Sequence, residues 1–121
     1  MSAIAAIILI LASGSIQEAD WEVIATAADG AVTTIDRKSI ERVPQGIAFR
    51  SLTDSKNVAS SPYDFTLFDA VIDCKGKRML PTMSAIIYRD GRTAKSDLSR
   101  DPQWETMPVG TAGEALRKHL C

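Results

Sequence analysis

The chain contains two cysteines, Cys74 and Cys121, and an uncharged stretch from Met1 to Gly14 with an unbroken apolar block at Ala3 to Ala12. A membrane-spanning helix needs roughly 20 apolar residues, so this block is too short to span. It reads as the core of a secretory leader, followed by the small residues Ala12, Ser13 and Gly14. Cleavage after Gly14 makes residues 1–14 a signal peptide and 15–121 a single exported domain. The absence of Lys or Arg before the block departs from the usual leader, and a partly ordered N-terminal helix is the alternative. In an oxidising compartment two cysteines imply one staple, which ties the end of the chain to its interior. Two free thiols are the competing state. Closing so long a loop is worth about 4 kcal/mol in the chain-entropy account. Leu11-Ala12-Ser13-Gly14 runs into Ser15, so the leader offers no cysteine for lipid anchoring. The expected location is the periplasm or the exterior.

At 121 residues, 45% apolar, the chain can bury one core. Its net charge of −1 argues against a nucleic-acid partner. Short β-rich segments separated by turn residues dominate. Trp21 to Ala27 reads as a strand, Asp29-Gly30 as a hairpin turn with positive φ at both positions, and Val32 to Ile35 as the return strand. Asp36 to Ile40 reads as a local turn, with Ile40 plugging the edge of the core. Ile47 to Thr53 is the third strand. Asp54 to Pro62 is the longest loop and a natural place for function. Phe65 to Cys74 is the fourth strand, with Phe68, Ala70, Ile72 and Cys74 on one face and Asp69 and Asp73 on the other. Arg78 to Tyr88 is the fifth, where Pro81 predicts an edge, a bulge or an interruption. Asp90-Gly91 turns into a sixth strand near Arg92 to Asp97. Ser99 to Pro108 reads as irregular, with Trp104 a core anchor. Thr111-Ala112-Gly113-Glu114 fits a capping box, and a helix with an Ala112, Leu116, Leu120 stripe follows. The helix is short and must dock on the sheet. The expected class is therefore α+β, an antiparallel sheet of about six strands with one face covered by a C-terminal helix.

The order of these features resembles the surface-adhesin E family of exported bacterial proteins. The resemblance rests on Trp21-Glu22-Val23-Ile24, Ile35-Asp36-Arg37-Lys38-Ser39-Ile40-Glu41-Arg42, Asp73-Cys74, Trp104 with Pro108-Val109-Gly110-Thr111, and Cys121. It implies a sheet of about six strands whose C-terminal helix is disulfide-bonded to it through Cys74 and Cys121. It also implies a binding role toward host macromolecules for members that carry a lipid anchor, and a periplasmic role for relatives without one. No ligand-contact motif of the family is recognisable here.

Catalytic chemistry has little support. His119 stands alone with Cys121 as a neighbour, short of the three or four ligands of a metal site. No Gly-x-Ser-x-Gly elbow and no phosphate-binding glycine loop occur, and no cofactor is expected. Asp69 and Asp73 share a strand face, a placement that fits acid–base work or simple exposure. The charge pattern is more informative. Lys75, Lys77, Arg78, Arg89, Arg92, Lys95 and Arg100 stand against only Asp90 and Asp97 in their stretch. Pairing of the fifth and sixth strands would make Lys77, Arg78, Arg89, Arg92 and Lys95 a basic rim for an anionic polysaccharide or a protein. Edge protection against sheet aggregation is the plain alternative. The sequence thus points to a non-enzymatic exported binding module that meets its partner through the Asp54 to Pro62 loop, the rim or a strand edge. An envelope or inhibitor-type periplasmic protein with no adhesive role is the second reading, and a small hydrolase the third. An unpaired edge would equally serve a homodimer.

Overall fold

The computed structural model describes residues 19–121, so the leader assigned to residues 1–14 lies outside the described residues. Trp21–Thr26 (β1), Val32–Asp36 (β2), Glu41–Val43 (β3), Gly46–Asp54 (β4), Tyr63–Asp73 (β5), Arg78–Tyr88 (β6), Thr93–Asp97 (β7) and Glu105–Thr106 (β8) precede one helix, Ala112–Leu120 (α1). The main path of the sheet is β1-β2-β4-β5-β6-β7, with β3 beside β4 and β8 beside β6. All pairings are antiparallel. The six expected strands are present, and two short ones add to them.

Both glycine hairpins are built differently from the expectation. Only Gly30 (φ 101°) and Gly91 (φ 89°) are left-handed; Asp29 and Asp90 are not. At the first turn Gly30 N–H donates to Ala27 and Ala27 N–H to Ala31; at the second, Gly91 N–H donates to Tyr88 and Tyr88 N–H to Arg92. This is a three-residue turn closed by a left-handed glycine, which matches the twist of the flanking strands. Asp29 and Asp90 serve instead as side-chain acceptors for the N–H of Ala31 and Arg92. Pro81 produces the bulge. Asp69 pairs Met83 and Ala70 pairs Pro81, so Thr82 has no partner in the ladder and its hydroxyl donates to the Asp69 carbonyl.

Gly46 is required by a close approach. A Cβ there would sit 2.0 Å from the Ile72 carbonyl oxygen. Gly46→Ala must pull the start of β4 away from the end of β5, and a loss of about 2–3 kcal/mol is expected in urea unfolding.

The cores lie on opposite faces of the sheet. Ile35, Phe49, Ala70, Ile72 and Leu116 form one, with Ile24, Phe68, Cys74, Met79, Met107 and Leu120 packed around it. Leu52, Phe65, Leu67, Ala85 and Ile87 form the other, with Trp21 and Met83. The ladder from β4 to β5 is unbroken from Ile47↔Ile72 to Asp54↔Phe65. Phe49 and Leu52 differ in parity along it, so they point to opposite sides. The helix covers the first face, as expected. The second apolar face was not expected. Three side chains assigned inward are not: Ile40 is 39% exposed, Ala112 is exposed while Leu116 is buried, and Trp104 stands outside both cores, half-buried against the Arg78 guanidinium.

Helix α1 is capped as the sequence indicates, with one change. Thr111 Oγ1 accepts from Glu114 N–H at 3.3 Å, but Glu114 Oε1 accepts from Gly110 N–H at 3.2 Å rather than from the cap residue. That N–H holds the Glu114 carboxyl below its usual pKa range, helped by Lys118. The Cys74–Cys121 disulfide closes the helix onto the end of β5.

Candidate functional site

The basic rim divides in two. Lys77 and Arg78 sit where β6 begins, whereas Arg89 and Arg92 sit beyond its far end, with Lys95 in β7 opposite Ala85. The eleven residues of β6, at about 3.3 Å each, put roughly 33 Å between the ends. Pairing of β6 with β7 does occur, but it cannot draw the five cations into one patch.

At the near end, Arg78 is spent locally. Its Nε donates to Asp73 Oδ2 at 2.9 Å, and its guanidinium lies 4.2 Å from the centre of the Trp104 ring. Gly76 N–H and then Arg78 hold the Asp73 carboxyl below its usual range. Lys77 occupies the turn with a positive φ of 51°. An open cleft of about 540 Å³ runs between the Pro44-Gln45-Gly46 turn, Lys75 and the disulfide, and Lys77 does not line it. Asp69, the other candidate acid–base carboxylate, is held by both Arg50 Nε (2.7 Å) and Arg50 Nη2 (2.9 Å). Both carboxylates therefore serve as ion-pair acceptors. His119 Nε2 lies 3.3 Å from Glu22 Oε1, tying α1 to β1. Among the described residues no three His, Cys, Asp or Glu side chains group to hold a metal.

The far end holds the more organised arrangement. The Arg89 guanidinium collects the backbone of the Asp54 to Pro62 loop. Nη2 donates to the Ser55 carbonyl at 3.0 Å and also to that of Val58; Nη1 donates to Lys56 at 3.2 Å, and Nε to Ser61. Arg89 N–H donates to Pro62 at 3.0 Å, and Asp64 lies 4.0 Å from Nη1. One guanidinium carries five donors in a rigid fork, so a single side chain can satisfy a whole turn of carbonyls. Val58 is buried beneath this clamp. Arg89→Gln should leave the sheet intact, cost roughly 1–3 kcal/mol, and open residues 55–62 to limited proteolysis at native-like far-UV signal.

Next to the clamp, Tyr63 and Tyr88 face each other across β5 and β6 with ring centres 5.4 Å apart, edge to face. The Arg92 guanidinium lies 4.7 Å from the centre of the Tyr88 ring, and its Nε donates to Asp90 Oδ2 at 2.7 Å. The Arg92 N–H and then its guanidinium hold the Asp90 carboxyl below its usual range. Lys56 stands 5.0 Å over the Phe65 ring. The cations of this end are thus matched by Asp64, Asp90 and backbone carbonyls, which leaves little net field. The surface offers aromatic rings, a stacked guanidinium and an ordered loop. Sequence reasoning located the loop and both arginines but missed the two tyrosines. Their signal was Tyr63 opening and Tyr88 closing the two longest strand segments, each of 11 residues.

The chain is thus a small disulfide-stapled antiparallel sheet with a single docked helix, carrying an aromatic and arginine-lined loop corner. The chain belongs to the Surface-adhesin protein E family, whose pattern it matches over residues 21–121. Membership carries an adhesin-like role and export with it. No curated protein and no solved structure matches the chain. Among the described residues no helix is long and apolar enough to cross a membrane.

Proposed function

We propose that this chain is a non-enzymatic exported binding module that meets a macromolecular partner through the sheet end where the Asp54 to Pro62 loop joins Tyr63, Tyr88, Arg89 and Arg92. The observation that carries this reading is the Arg89 clamp. It holds the loop in one conformation before any partner arrives, so little ordering entropy is lost on binding. Beside it stand exposed Tyr and Arg, the residue types that dominate interface energetics. A protein partner is favoured over an anionic polysaccharide, because Arg78 and Arg89 already have anionic or carbonyl partners and the remaining cations do not gather into one patch. The domain begins after the proposed leader, residues 1–14, and acts in the periplasm or outside the cell.

The test is capture of partners by immobilised residues 15–121, compared with its variants. Tyr63→Ala with Arg92→Glu should abolish a specific captured band that Lys77→Glu retains. Capture that tracks Lys77 and Arg78 instead would move the site to the opposite end. Salt-sensitive retention on heparin that falls equally in Lys77→Glu and Arg92→Glu would favour the polysaccharide.

A further inference from the structure

The sheet path ends at β1, which is tied to α1 through Glu22 and His119, and at β7, whose outer edge is a place where an extended chain can add. Strand β7 ends the sheet path, and all five of its residues are exposed. Its hydrogen-bond parity follows from two bonds that flank it. Tyr88 N–H donates to Arg92, and Leu98 N–H donates to Thr82, each at 2.9 Å. Bonded and unbonded pairs alternate along an antiparallel ladder. Within the register Met83↔Asp97 to Ile87↔Thr93, Ala94 and Ser96 therefore turn their backbone groups toward β6. Thr93, Lys95 and Asp97 turn theirs outward, and among the described residues no strand lies beyond them.

The side chains along this edge carry a charge code. Lys95 and Asp97 share one face, opposite Ala85 and Met83, while Arg92 lies on the other face over Tyr88. Asp97 Oδ1 is occupied by the Ser99 N–H and hydroxyl, which leaves Oδ2 available. The Ser99 hydroxyl, then its N–H, and Lys95 hold that carboxyl below its usual range, so it is charged near neutrality. Arg92 keeps 72% of its side-chain surface exposed beside Asp90.

We infer that β7 binds an extended segment of a partner protein as an added antiparallel strand, and that it selects the pattern Lys-x-Glu-x-x-Glu. The Lys falls opposite Asp97, the first Glu opposite Lys95, and the second Glu opposite Arg92 on the other face. Main-chain bonds to Thr93, Lys95 and Asp97 supply affinity, and the charged side chains supply register. A second copy of the chain fits less well. Self-pairing centred on Lys95 sets lysine against lysine. The register that matches Lys95 with Asp97 overlaps only Lys95–Asp97, because the chain turns after Asp97. So small a contact falls far below the roughly 1,000 Å² of a stable interface. This inference rests on the reading that the β6–β7 end is the partner surface, and it names the kind of partner and how it docks.

The probe is fluorescein-labelled Ser-Thr-Lys-Val-Glu-Val-Thr-Glu-Thr-Ser, titrated against residues 15–121, with amide exchange followed by NMR. Saturable binding should slow exchange at Thr93, Lys95 and Asp97 and leave Ala94 and Ser96 unchanged. The isomer with its first Lys and Glu exchanged should bind about tenfold more weakly. The double variant Lys95→Glu, Asp97→Lys should reverse that preference. Thr93→Pro removes one outward donor without touching a charge or a bond to β6, and should weaken binding about tenfold or more with the far-UV spectrum unchanged. Equal affinity for the two isomers, or binding without the alternating protection, would overturn the inference. Slow exchange at Thr93, Lys95 and Asp97 before peptide is added would assign the edge to self-association and overturn it as well. Partner capture that depends on Tyr63 and Arg92 would survive any of these failures, which separates this inference from the broader binding role.

Discussion

Cys121→Ser is expected to lower the free energy of unfolding by about 4 kcal/mol in urea titrations under oxidising conditions. The crosslink joins residues 47 apart in sequence. Opening it returns that loop's freedom to the unfolded chain, and the entropy involved gives the stated figure. The native state has a second reason to weaken. Helix α1 has nine residues, too few to persist alone in water, and it holds to the sheet mainly through Leu116 and Leu120. Dithiothreitol should reproduce the loss in the wild-type chain and leave the variant unchanged. A loss below about 1 kcal/mol, or the same response to dithiothreitol in both proteins, would show that the staple does not hold the fold.

Phe49→Ala should cost about 3–5 kcal/mol. Phe49 is 3% exposed and packs edge to face on Phe68 with ring centres 5.9 Å apart. It belongs to the same cluster as Ile35, Ala70, Ile72 and Leu116, so its removal leaves a void under the helix. The surroundings cannot collapse freely, because the disulfide ties α1 to the end of β5 and His119 ties it to Glu22 of β1. The midpoint in urea should fall with the slope unchanged, since the folded surface stays the same. Combined with Cys121→Ser, the loss should fall short of the sum, since a released helix can settle into the void. Strict additivity would mean that helix docking and the Phe49 site are independent.

Much of this was readable locally. The strands were visible from β-branched and aromatic runs, the two hairpins from Asp-Gly, the bulge from Pro81 and the helix start from Thr111 and Glu114. Each is decided within a few residues by backbone sterics or by a nearby side-chain acceptor. The second apolar face was also legible, though read wrongly. Phe65-Thr66-Leu67-Phe68-Asp69-Ala70-Val71-Ile72 is nearly continuous in apolar residues, the signature of a strand covered on both sides rather than one. Ile40 misled because an apolar residue in a turn carries no periodicity to say which way it points.

The functional corner was less accessible. Five cations in a short stretch look like one rim when only composition is counted, yet strand length alone sends them to opposite ends. The role of Arg89 had no sequence signal, since backbone carbonyls are common to every residue and only the folded loop aims four of them at one side chain. The outward parity of Thr93, Lys95 and Asp97 likewise needs the register with β6.

By itself the sequence determined the six main strands, the C-terminal helix, the turn positions and the cysteine pair, because these follow from short-range sterics, side-chain pattern and the count of thiols. Only the tertiary structure decided which charges meet, which loop is clamped and which edge stays open. Those depend on register and on contacts between residues far apart in the chain, where a one-residue shift would turn every side chain to the other face.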